Sequence, residues 1–236
     1  NDDNVAFSYS GAAPFYNPIY AQIVASNRND FVASETIVNI MNTLNDPRRA
    51  VYFEERNGQY IGGVNGAGNN YFNFSAIGET LTEADFPALL MEATEINFYL
   101  AEAAARGYNV GGSAEQFYNT AITESFDFWG VSGVSTYLAQ PDVAYSSAPG
   151  SWQQKIGTQE WLALFNRPFE SWNAWRRLDY PQLTPATGAV PASGGMIPVR
   201  FTYPINEQTV NSANYLAASD AIGGNALTTH IFWDIN

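Results

Sequence analysis

Residues 151–181, SWQQKIGTQEWLALFNRPFESWNAWRRLDYP, read as two helices joined by a turn. Ser151 and Gln154 have the spacing of a capping box that opens the first helix. Asn166-Arg167-Pro168 turns the chain into the second, and Asp179-Tyr180-Pro181 ends it, because the residue before a proline is biased away from helix. The hairpin holds Trp152, Trp161, Trp172 and Trp175, four of the six tryptophans, together with adjacent Arg176 and Arg177 and the only lysine, Lys155. Much of the basic charge of the chain is thus gathered in one helical hairpin, and an acidic helix around Glu92 to Glu102 is its natural counterpart.

That upstream helix is expected over 86–106, FPALLMEATEINFYLAEAAAR, with Pro87 at a first helical position. Leu89, Ala93, Ile96, Leu100, Ala103 and Ala104 make one apolar stripe; Met91 and Phe98 lie opposite it, so the helix is read as sandwiched. Gly107 ends it. Ser113 and Gln116 then cap a helix through Phe117, Ala121, Ile122 and Trp129, and the short connection makes the two antiparallel neighbours. The pair has the size of a tetratricopeptide-like unit, with no second copy at a fixed period. Ser34 caps an earlier helix through Ile37, Ile40, Met41 and Leu44, which Asn45-Asp46-Pro47 stops. Residues 1–33 read as irregular apart from a helical turn at 20–25, 48–53 as extended and 130–150 and 181–198 as loops. Val199 to Tyr203 is expected as a short strand, 207–214 as a helical turn and 231–234 as extended. The fold class is mainly α: helix hairpins, long irregular loops and a few short strands in a single region over 1–236.

The composition bounds the partners. The 236 residues carry a net charge of -13, which excludes nucleic acid and anionic lipid, both of which need clustered Lys and Arg. With no cysteine there is no disulfide, thiol nucleophile or thiolate metal site. His230 is the only histidine, which leaves neither zinc nor a Ser-His-Asp triad a basis. Asn1-Asp2-Asp3-Asn4 lacks the spacing of a calcium loop, and no GK[ST] follows the glycines at 62–68. No metal and no cofactor is expected. The start shows no signal peptide, and no run approaches the roughly 20 apolar residues of a membrane helix.

Three groups carry candidate chemistry. Glu92, Glu95 and Glu102 facing Arg176 and Arg177 make either a glycosidase's acid and nucleophile or an interhelical ion-pair network. The four hairpin tryptophans make either a sugar platform or packing. The Gly/Asn-rich loop 57–75, NGQYIGGVNGAGNNYFNFS, offers Tyr60, Asn65, Asn69, Asn70, Tyr71 and Phe72: aromatic faces for stacking and amides for hydroxyl groups, as a neutral sugar requires. Tyr9, Phe15, Tyr16 and Tyr20 form a further aromatic group.

Six segments in order resemble the C-terminal half of the SusD/RagB family of outer-membrane nutrient-binding lipoproteins. They are EINFYLAEAAARGY (95–108), SAEQFYNTAITESFDFWGV (113–131), WQQKIGTQEWLALF (152–165), ESWNAWRRLDYP (170–181), PVRFTYPINEQTVNSANY (198–215) and IFWD (231–234). NDFVASETIVNIMNTLNDPRR (29–49) is similar to the starch-binding-associated branch. The resemblance implies a fragment whose N-terminal helical half, with signal peptide and lipid anchor, is missing. It implies a non-catalytic, surface-exposed protein of the outer membrane. Such a protein binds an oligosaccharide or other nutrient, caps a SusC-like TonB-dependent transporter and passes the ligand on. In the family, glycan contacts come from variable loops, and Tyr9, Phe15, Tyr16 and Tyr20 would pack against the missing half. A glycoside hydrolase with a carboxylate pair, or a ligand-free structural partner of the transporter, are the other readings.

Overall fold

The computed structural model describes residues 3–189 and 191–234. Its centre is two helix hairpins packed on one another. Helix α4 (Ala93–Ala105) and helix α5 (Ala114–Phe128) form the first; α7 (Trp152–Ala163) and α8 (Pro168–Leu178) form the second. Ser113 Oγ accepts the Gln116 N–H and Ser151 Oγ the Gln154 N–H, so the polar N-caps fall where the spacing put them. Pro168 opens α8, and Asp179 closes it in the left-handed region.

Around this pair the chain adds smaller elements. Strand β1 (Val5–Phe7) pairs antiparallel with β2 (Ala88–Met91). Pro18–Tyr20 (α1) leads into a wide helical turn over Ala21–Ala25. Next come α2 (Glu35–Thr43), capped by Ser34, α3 (Arg49–Tyr52), and α6 (Val134–Leu138) between the hairpins. The chain closes on α9 (Ile205–Val210) and α10 (Ser212–Ala221), neither of which buries a residue. Asn1 and Asp2 of the opening acidic run lie outside the described residues, as does Val190 in the 181–198 loop. No helix among the described residues is long and apolar enough to cross a membrane.

The core has two lobes. Phe98, Tyr118, Ile122, Phe126, Tyr137 and Ile156 fill one, between the hairpins. Met41, Tyr52, Phe53, Leu81, Trp129 and Leu162 fill the other, where α2 and α3 lean on the α5 and α7 ends. Asp46 and Arg48, both wholly buried, belong to a polar cluster with Ser125, Tyr137 and Gln159.

Several expectations are corrected. The 86–106 helix begins only at Ala93; Ala88–Met91 is strand, because β1 returns to pair with it, and Asn4 Oδ1 accepts the Ala93 N–H from across the sheet. Pro87 therefore precedes a strand, not a helix. The apolar stripe is also the wrong face. Thr94, Glu95, Phe98, Ala101 and Glu102 are buried, while Ile96 is exposed, because arginines of the second hairpin draw the glutamates inward. Residues 49–52 are helical rather than extended, since Asp46 holds Arg48 and starts a turn. The 130–150 loop contains α6, whose Tyr137 is core. Val199 to Tyr203 is not a strand: Val199 and Arg200 both donate to Leu227 O, which is no ladder. Residues 231–234 turn instead of extending, with Asp234 N–H on Ile231 O.

Candidate functional site

Charge fixes how the hairpins meet. Arg167, at the turn between α7 and α8, places Nη1 3.0 Å from Glu92 Oε1 and 2.7 Å from Glu95 Oε2. One step away, Arg177 holds Glu102 at 2.7 Å and Glu160 at 2.8 Å, and Arg106 takes the other Glu102 oxygen at 2.8 Å. Arg176, expected to share this work, does not. It donates to Val199 O and lies between the rings of Trp172 (3.8 Å) and Trp233 (4.7 Å). All four carboxylates are buried and paired, so they offer an open cleft no acid and nucleophile; of the two readings for this cluster, the ion-pair network is the geometry observed.

Burial pushes Glu160 up to about 7 against the pull of Arg177, and burial likewise raises Glu92 against Arg167. A raised carboxylate makes the folded chain hold a proton that the unfolded chain has released, so stability falls as pH rises. For Glu160 the window runs from its ordinary 4.5 to about 7. Urea unfolding across this window is expected to show a declining midpoint, and Glu160→Gln to remove up to about 1.4 kcal/mol per pH unit of that slope. An unchanged slope in the variant would show that Glu160 ionises normally.

The same α7–α8 turn forms one wall of a groove of about 690 Å³. Trp161 and Phe165 line it from the end of α7, and Asn166 and Ser171 from the turn and α8. Thr36 and Asn65 also line it, as do Thr184 and Met196 from beyond α8. Two close approaches join its walls. Asn65 Nδ2 donates to Thr36 Oγ1, and Thr187 N–H to Asn65 O. A side chain on Gly66 (φ +77°) would meet the Thr187 carbonyl at 2.1 Å, so glycine is what lets the two loops touch. A largely apolar depression of about 450 Å³ adjoins, sharing Ser34, Ile37 and Phe165.

The residues singled out in the 57–75 loop separate into three places. Asn65 lines the groove. Tyr60 lies under Arg49, 5.4 Å from its guanidinium, on the α2–α3 side. Asn69 spends its amide within the loop on Val64 and Ala67, and Asn70 Oδ1 caps the short turn Tyr71–Asn73. Tyr71 stacks under Arg56 at 5.2 Å and meets Phe72 edge-on; Phe72 is 71% exposed. The loop is stitched to the body, with Gly63 N–H on Ala33 O and Ala33 N–H on Ser75 O. Of the tryptophans only Trp161 reaches the groove. Trp172 donates its indole N–H to Pro198 O, and Trp152 carries the Arg106 guanidinium at 5.0 Å. Thr36, Phe165, Asn166, Ser171 and Thr184 were not singled out from sequence, and no local pattern marks them: each sits in a different element and only the tertiary fold joins them.

Comparison with known proteins agrees with this architecture. Residues 1–204 match the SusD-like family described as starch-binding and associating with the outer membrane. Among solved structures, a chitin-binding SusD homolog from Flavobacterium johnsoniae is 29% identical with a TM-score of 0.80; the match covers 100% of this chain and 55% of that one. A SusD homolog from Bacteroides uniformis is 28% identical at TM-score 0.81, over 100% and 56%. One from Bacteroides thetaiotaomicron is 27% identical at 0.79, over 99% and 56%. This chain thus spans just over half the length of these relatives. No curated protein matches it.

Proposed function

The chain belongs to the SusD-like family, and from that premise we propose that it is the ligand-holding part of a non-catalytic, surface-exposed glycan-binding protein of the outer membrane. In this reading the 236 residues are one SusD-like C-terminal region of a longer lipoprotein, completed by an N-terminal half that carries the lipid anchor. The whole delivers oligosaccharide to a SusC-like TonB-dependent transporter. The observation that carries the binding role is the groove, where the rings of Trp161 and Phe165 line the wall beside amides and hydroxyls of Asn65, Asn166, Ser171 and Thr184. Indole and phenyl faces suit the C–H face of a pyranose, and the rim groups suit its hydroxyls. The volume lies within the range of small-ligand sites, about 300–1,000 Å³. A chitin-binding relative supports a neutral sugar as the ligand class. Asn65 stays a proposed contact here; Tyr60, Asn69, Asn70, Tyr71 and Phe72 are proposed as outer contacts of a longer chain.

Calorimetric titration with chito- and malto-oligosaccharides tests this. One series is expected to saturate, and Trp161→Ala to weaken it by about tenfold or more, the loss of one stacking anchor. A Tyr71→Ala/Phe72→Ala variant is expected to lose less. No heat from any glycan with a folded chain would leave the ligand-free structural partner as the better account.

A further inference from the structure

Away from the groove, a second depression of about 280 Å³ opens beside the end of α4, lined by Tyr99, Glu102, Ala103, Arg106, Tyr108 and Arg177. Its parts are held in place from behind. Gly107 (φ +90°) closes α4, and the Tyr108 N–H returns to Ala103 O, so the Tyr108 backbone is fixed while its ring stands 68% exposed. Arg106 is anchored by Nε to Glu102 and by its face to Trp152. Among the described residues its Nη1 and Nη2 have no hydrogen-bond partner. Ala103 supplies the low floor between them.

The electrostatics favour an anion. The carboxylate at the rim, Glu102, is 10% exposed and gives one oxygen to each arginine; Glu160 is wholly buried. The cations are more open, Arg106 at 39% and Arg177 at 23%. In a chain of net charge -13 the cup is locally balanced, two arginines against two glutamates, with the arginines the more exposed partners. A planar fork with two free N–H edges matches a carboxylate in two-point contact, and an exposed phenol face matches the C–H face of a sugar ring. The cavity has room for about one ring, just below the usual range for larger ligands.

We propose that this cup is a second saccharide site, selective for a uronic acid residue, with Arg106 holding the carboxylate and Tyr108 stacking on the ring. It does not depend on the groove reading, since its ligand and its residues are different.

The test is titration of the chain with methyl glucuronide, methyl glucoside and acetate, read by ligand-observed NMR and calorimetry. The glucuronide is expected to bind in the millimolar range, and the glucoside and acetate each about tenfold more weakly or not at all. Arg106→Gln should abolish the preference for acid, and Tyr108→Ala should weaken the glucuronide about fivefold or more; the Tyr108→Ala melt should be unchanged because that ring is exposed, and the Arg106→Gln melt only slightly lowered because Arg177 still holds Glu102. Trp161→Ala, in the groove, should leave the glucuronide untouched. Equal binding of glucoside and glucuronide overturns the assignment of the carboxylate. Acetate binding as well as glucuronide overturns the saccharide, and glucuronide binding that survives Arg106→Gln overturns the location. Silence toward all three overturns the site.

Discussion

Arg48→Met is expected to lower the unfolding free energy by about 3–5 kcal/mol, one of the two largest single-residue effects in the molecule. Arg48 is wholly buried, and so is its partner Asp46, at 2.6 Å. The guanidinium also donates to Ser125 Oγ on α5 (2.9 Å) and Gln159 Oε1 on α7 (3.1 Å), and lies 5.1 Å from the Phe126 ring. Asp46 Oδ2 further accepts the Tyr137 hydroxyl of α6. Methionine fills much of the volume but leaves the Asp46 carboxylate in an apolar interior without its cation. That unpaired charge, rather than lost attraction, is the larger cost. Urea unfolding followed by tryptophan fluorescence at neutral pH measures it. A Leu side chain in place of Met should cost about the same, because the mechanism is charge and not shape. Arg48→Met combined with Asp46→Asn should recover most of the loss, since the pair's own desolvation nearly cancels its attraction. A single variant that unfolds at the wild-type midpoint would show that Asp46 finds water or a proton in its place.

The importance of this cluster was not visible in NDPRR at 45–49, which reads as a turn. The stop signal was legible because Asn45 and Pro47 act locally; the burial of Arg48 was not, because its partners stand 77 and 111 residues away. The same division holds across the chain. Caps at Ser34, Ser113 and Ser151, and the turn at Pro168, depend on side-chain oxygens and ring geometry within three residues, and they were read correctly. The inward face of α4 was misread because periodicity ranks glutamate as solvent-seeking; only arginines from another hairpin reverse that. Residues 88–91 could serve helix or strand equally, and β1, some 80 residues earlier, decides. The groove is the least local feature of all. Asn65 was visible as an amide in a glycine-rich loop and Trp161 as an indole in the hairpin, but their shared cavity exists only once α2, the α7–α8 turn and residues 183–186 and 196–198 come together.

Arg167→Met is the second large effect, and it joins stability to binding. Arg167 is 5% exposed, and its Nη1 bridges Glu92 and Glu95 while Nη2 donates to Leu90 O, tying β2 and the start of α4 to the α7–α8 turn. The variant leaves two carboxylates buried side by side. Burial already raises Glu92, and without Arg167 it would rise further, so the loss of about 3–5 kcal/mol expected at pH 7 should shrink as pH falls toward 5. The sign is distinctive: loss of a cap or of packing would not diminish on acidification. Neighbours of Arg167 on both sides, Asn166 and Pro168, line the groove. Freed from β2, that turn should lose its fixed position, and glycan affinity should fall even at temperatures where the variant is folded, because ordering the wall then draws on binding energy. Adding Glu92→Gln and Glu95→Gln to the variant removes the charge problem without restoring the tie. That triple variant should regain most of the stability and little of the affinity. If affinity returned with stability, the turn would be held by packing alone, and the groove wall would not depend on the arginine.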